Sequence, residues 1–324
     1  MSSDRGETID RSQSPVGVYL RGIAMGAADI VPGVSGGTIA FISGIYFRLL
    51  SSISAALPAA VKHLPKGRFR EFWAELDGTF LLTLFAGIVT SIIALASFIT
   101  YALDTWPIVV WSFFFGLIVA SVWHVGREIR DYRAGLLIPL LLGIGFGYWV
   151  TIQSVVPLEP SPLLFFGAGA IAICAMILPG ISGSFILLLM GMYAPVLAAV
   201  KELELVTLLL FAGGCLLGLL SIARVLTWAI KRHHDLILGF LTGLMIGALN
   251  KVWPWKEVIS TRINSHDQVV PVEVASVSPW QYAELAGADP KIGLAILAAL
   301  IGAGLVLAFE WLTSSRQRSA HSAH

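Results

Sequence analysis

Residues 29–41 read DIVPGVSGGTIAF, and residues 176–188 read MILPGISGSFILL. The same Pro-Gly-x-Ser-Gly interrupts two apolar runs. Pro32 and Pro179 have no N–H and favour an extended residue before them, so each ends a helix. Gly33 and Gly180 permit the dihedrals of a reversal. Ser35 and Ser182 are suited to N-cap a second helix, with Gly36-Gly37-Thr38 or Gly183-Ser184 as its first turn. Such a turn has unpaired amides and the positive end of the helix dipole, which suits an anion, and the Ser and Thr hydroxyls add donors. One such stretch alone reads equally well as small residues allowing tight helix packing. Two copies favour a ligand site.

The rest of the chain places these breaks in a bilayer. Hydrophobic residues make up 56% and charged residues only 13%, against about 45–50% and about 25% in soluble domains. Mean hydropathy is +0.82. Ten Trp and 32 Gly fit the membrane class. The net charge of +1 comes with no basic domain, which argues against a nucleic-acid partner. Cys174 and Cys215 lie in apolar runs and read as packing residues. No grouping suggests a metal or cofactor. Residues 1–15 are polar, without a cleavable signal, and read as a disordered tail.

Apolar runs lie near 16–31, 33–50, 79–102, 107–124, 135–153, 163–178, 181–200, 205–229, 236–253 and 292–313. Non-helical backbone at membrane depth needs protein or a wet cavity around it. The first and sixth runs are short for a span of about 20 residues. The expected fold is therefore an all-α polytopic membrane protein of two repeats. Repeat 1 covers 16–153, with a re-entrant hairpin at 16–50 and three spans. Repeat 2 covers 163–313, with a hairpin at 163–200, three spans and a loop at 254–290 that reads as a small extracytoplasmic cap. Residues 314–324 form a tail. Aligning 31–46 with 178–193 leaves seven of sixteen positions identical, Gly44/Gly191 and Tyr46/Tyr193 among them. Leu84–Gly87 matches Leu210–Gly213, Gly116-Leu117 matches Gly243-Leu244, and Gly-x-Gly recurs at 143–145 and 302–304.

Lys62, Lys66, Arg68 and Arg70 mark one basic loop, Arg127, Arg130 and Arg133 a second, and Lys231 with Arg232 a third. By the positive-inside rule these loops and both termini are cytoplasmic. Three spans is an odd number, so the two halves are inverted, an arrangement that places a transporter's site near the midplane. Loop charge does not separate re-entrant from fully spanning hairpins.

A charge at a helix centre costs about 2.5–3.5 kcal/mol on insertion scales. Arg21 and Asp29 sit on the first leg, about 80° apart around a helix. Asp29 is close to the break, where it reads either as a cap for the reversal's donors or as a group that takes up a proton or cation. Arg224 lies within the eighth run, and Arg48 reads as snorkelling to the interface.

The stretches RGIAMGAADIVPGVSGGT at 21–38 and AMILPGISGSFILLLMGMY at 175–193 resemble a bacterial membrane family long catalogued as a domain of unknown function and associated with polyprenyl-phosphate transport (PopT-like). The likeness runs over 16–313. It implies return of undecaprenyl phosphate from the outer to the cytoplasmic leaflet of the bacterial inner membrane for reuse in envelope synthesis. On that basis the phosphate sits among Gly33, Ser35, Gly36, Gly37, Thr38, Gly180, Ser182, Gly183 and Ser184. Arg21 and Arg224 neutralise its charge, and Asp29 serves coupling. The partners are the lipid and the bilayer, with homo-oligomerisation left open. The rival readings are a polyprenyl diphosphate phosphatase and a transporter of a small soluble anion. The phosphatase family carries a PGxSRS tip, whereas here the Arg slot is Gly36 or Gly183, and no His stands near either tip.

Overall fold

Pre-proline restriction acts as expected at both breaks. The computed structural model describes residues 13–31, 34–129, 134–153, 160–263 and 269–321. The 1–15 tail falls almost wholly outside these residues, as do Pro32 and Gly33. Helix α1 (Pro15–Ile30) is capped by Ser14 and ends at Val31, which is extended at φ −86° and ψ 115°. Helix α8 (Pro162–Ile177) is capped by Ser161 and ends at Leu178, likewise extended at φ −75° and ψ 126°. Both helices have 16 residues, or about 24 Å, less than the hydrocarbon core of about 30 Å.

The second legs depart from the expected single runs 33–50 and 181–200. After the first break, α2 (Gly36–Ile42) lasts seven residues and α3 (Tyr46–His63) leaves at 116° to it. After the second, α9 (Gly183–Leu189) also lasts seven residues, and α10 (Tyr193–Lys201) leaves at 107°. The cause is a left-handed glycine in each, Gly44 at φ +70° and Gly191 at φ +68°. At Gly44 the amide of Ile45 reaches the Ala40 carbonyl and that of Gly44 reaches Phe41. Met192 and Gly191 bond Leu187 and Leu188 in the same way. These are paired Schellman closures, and only glycine takes that backbone position without a Cβ penalty.

The remaining helices are α4 (Phe69–Glu75), α5 (Gly78–Thr105), α6 (Pro107–Arg127), α7 (Leu137–Thr151), α11 (Leu205–Arg232), α12 (His234–Ala248), α13 (Pro279–Ala286) and α14 (Ile292–His321). Of these, α5, α6 and α11 are long and apolar enough to cross a bilayer, and the chain is a predominantly helical, multi-pass membrane protein. α7 and α12 have 15 residues each. α14 continues to His321, beyond the expected end at 313. The 254–290 segment is no simple loop: strands β1 (Lys256–Ile263) and β2 (Val269–Ser276) pair antiparallel, followed by α13 with a Ser278/Gln281 capping box.

Matching helices make matching contacts. α1 packs on α5 and α8 on α11, while α6 packs on α14 and α7 on α12. The contacts are backbone-close. A Cβ on Gly22 would strike the Leu84 carbonyl, and one on Gly169 would strike that of Phe211. Gly116 abuts Ala299 and Gly302 abuts Phe113, while Gly243 abuts Leu140 and Gly143 abuts Phe240. The first glycine of each late Gly-x-Gly, Gly143 and Gly302, thus seats α7 on α12 and α14 on α6, while Gly145 and Gly304 meet nothing within 4 Å. Small residues serve this purpose in lipid, where close van der Waals packing holds helices together.

Candidate functional site

The first tip uses its own acid. Asp29, on the last turn of α1, accepts a hydrogen bond from the Gly36 amide at 2.8 Å, and Ser35 Oγ accepts from Gly37 at 3.1 Å. Two of the orphan amides of α2 are therefore filled from within the chain. The other carboxylate oxygen of Asp29 is buried, with no hydrogen-bond partner among the described residues.

The two tips touch. Ser35 Oγ lies 3.4 Å from the carbonyls of both Met176 and Leu178, and the Tyr46 hydroxyl donates to Ile177 at 3.1 Å. In return, the Gly180 amide donates to Thr38 Oγ1 at 3.0 Å. Donors of the first tip thereby satisfy carbonyls left over at the end of α8. Ser35 is 1% and Ser182 4% exposed, and neither lies on a water-exposed surface. The tips differ in one respect. Ser182 caps nothing in α9, and its hydroxyl pairs with that of Ser184 at 2.8 Å.

Of the expected cations, neither meets the tip amides. Arg21 donates to the Ser43 carbonyl and to Gly17, each at 3.0 Å, so it holds the far end of α2. Arg224 is exposed on α11. Arg48 has partners the sequence did not show: it makes a two-pronged pair with Asp77 at 2.7 and 3.1 Å, and its guanidinium lies 4.2 Å over the Phe80 ring.

Known proteins carry the same sequence plan. A family profile described as VCA0040-like, undecaprenyl phosphate translocase-like, matches residues 25–270. The chain belongs to the undecaprenyl phosphate translocase-like family. A polyprenyl-phosphate transporter of Vibrio cholerae serotype O1 is 49% identical over 300 residues, which is 93% of this chain and 97% of that protein. One from Staphylococcus aureus is 31% identical over 257 residues, 72% of this chain and 85% of its own. No solved structure matches the chain.

In this translocase-like chain Lys251, a residue the sequence reading passed over, sits beside the second tip. It lines a narrow cleft with Gly147, Val150, Thr151, Gly180, Ile181, Ser182 and Phe185. Its Nζ sits 4.0 Å over the Phe185 ring. A lysine two residues before the end of the 236–253 apolar run reads as an interfacial charge. The signal that could have flagged it is the crowding of Trp253, Trp255 and Lys256 behind it.

Proposed function

We propose that the protein carries a polyprenyl monophosphate from the outer to the cytoplasmic leaflet of the bacterial inner membrane, and that it handles the phosphate where the two Pro-Gly tips meet. The observation that supports this most is the mutual contact of the tips, Ser35 on the end of α8 and Gly180 on Thr38. Two breaks that converge inside a helical bundle bring hydroxyls, and at the second tip a helix start with no side-chain cap, to membrane depth, where an anionic headgroup needs donors. Both named relatives are polyprenyl-phosphate transporters, which favours that substrate. The isoprenoid tail stays in the bilayer while the headgroup moves.

The paired contacts α1/α5 with α8/α11, and α6/α14 with α12/α7, support two repeats. The basic loops add the inverted orientation, with both termini cytoplasmic. On this reading one half moves against the other about the fixed tips. The bond from Gly36 to Asp29 makes the acid the group whose protonation couples to movement, because a neutral carboxyl holds the helix end less strongly. Hydrolysis fits the geometry less well. The hydroxyl partners of Ser35 and Ser182 are backbone groups and Ser184, and a serine nucleophile needs an adjacent base.

Reconstitution into vesicles with a fluorescent polyprenyl phosphate tests the function. Loss of outer-leaflet signal faster than in empty vesicles is expected, and equal rates would overturn it. Phosphate release from a polyprenyl diphosphate by the purified protein would turn the reading towards an enzyme.

A further inference from the structure

We propose that Lys251 is the cationic anchor that receives a phosphate monoester at the second tip, on the side where α7 and α12 end, and that the β1–β2 hairpin holds this anchor in place. The inference rests on the transporter reading above and gives its headgroup a named partner.

The cleft that Lys251 lines is walled by the C-terminal end of α7, by Gly180-Ile181-Ser182 of the tip, and by Phe185. Buried or half-buried charges are ordinarily paired. Among the described residues Lys251 has no carboxylate partner, and what faces its ammonium is the Phe185 ring at 4.0 Å. A ring face attracts a cation but leaves its charge and its three N–H donors available to an anion. Among the described residues the Ser182 and Ser184 hydroxyls bond only to each other, and either can be the donor. One hydroxyl proton therefore remains free to point at a phosphate oxygen. Lysine binds phosphate as a point charge, and a monoester dianion at neutral pH is a fitting guest.

The preceding residue is clamped from three directions. Asn250 Nδ2 donates to Thr151 on α7 at 2.9 Å, and Asn250 Oδ1 accepts from Ser276 on β2 at 2.9 Å. Its backbone carbonyl accepts from Lys256 on β1 at 3.1 Å. A binding group is effective when its supports fix it, and here two of the three supports come from the cap. The extracytoplasmic segment thereby becomes a brace for the loading site, and Lys256 adds a second positive charge beside it.

The test uses full-length protein in detergent, with farnesyl phosphate, farnesol and inorganic phosphate as probes. Reductive methylation read by mass spectrometry should be slowed at Lys251 by farnesyl phosphate and not by farnesol. Lys251→Met should weaken farnesyl phosphate binding about tenfold or more, as loss of a charged hydrogen bond does, while Lys251→Arg retains most of it. Unchanged binding in Lys251→Met, or binding by wild type with Lys251 still fully reactive, overturns the anchor. Labelling on wild-type protein decides the matter even where a variant fails to fold. Equal protection by inorganic phosphate keeps the anion site and counts against a lipid guest. Vesicle transport is read separately: transport with Lys251 unprotected sinks the anchor alone, and protection without transport sinks the function alone.

Discussion

Asp29 and Gly36 are joined across the Pro-Gly break by a 2.8 Å hydrogen bond from the Gly36 amide to the carboxylate. The acid thereby occupies the place at the start of α2 where an external anion would otherwise bind. Asp29→Ala leaves a buried N–H without a partner, at a cost of about 1–3 kcal/mol, read as a lower melting temperature in detergent. Asp29→Asn keeps an acceptor and removes the charge. It should fold near wild type, yet lose most transport and its response to an imposed pH gradient. Full transport by Asp29→Asn would remove the acid from any coupling role.

Gly37 tests the contact between tips. A Cβ there would sit 2.9 Å from the Met176 carbonyl and 3.0 Å from that of Ile177, and both obstacles are backbone. Gly37→Ala therefore has to push the tips apart, with a destabilisation of about 1–3 kcal/mol and a matching loss of transport. Gly145→Ala is the control. It lies on α7, a Cβ there meets nothing within 4 Å, and exchanging glycine for alanine within a helix is neutral or slightly stabilising. Equal effects of the two substitutions would mean the tips are not tightly joined.

What could be read from the residues alone follows from how local each signal is. The two breaks were legible because Pro32 and Pro179 act on their immediate neighbours, and Val31 and Leu178 show it. The second breaks were not. Gly44 and Gly191 lie inside runs that remain apolar on both sides, and a left-handed glycine leaves no trace in hydropathy. The partner of Arg48 was not legible because Asp77 lies beyond an entire basic loop and helix α4. Lys251 was passed over because it gains its meaning only from Phe185 and the cleft, which the fold assembles from distant segments.

The pairing of Arg48 with Asp77 ties α3 to the start of α5, and the two side chains are 10% and 17% exposed. Removing one member of such a pair strands the other charge away from water, at about 3–5 kcal/mol. Arg48→Met is expected to lower the melting temperature strongly. Arg48→Lys recovers only part of the loss, because an ammonium does not reproduce the fork that meets both Asp77 oxygens. If Arg48→Lys matched wild type, the two-pronged geometry would carry no energy of its own.

Lys256 gives the cap a pH signature. Burial first, and the positive charge of Lys251 second, lower its pKa from 10.5 to about 8. Between those two values the unfolded chain binds the proton and the folded chain has released it. Stability therefore rises with pH across that window. Below about 8 the folded protein bears the full cost of the charged side chain, on the order of 1–3 kcal/mol. Lys256→Met removes this cost. The melting temperature of Lys256→Met should exceed that of wild type at pH 7, and the gap should narrow as the pH approaches 10. Lys251→Met removes the second cause, so Lys256 titrates closer to its ordinary value and the window shrinks from its lower end. A gap that stays constant from pH 7 to pH 10 would show that its surroundings do not lower the pKa of Lys256.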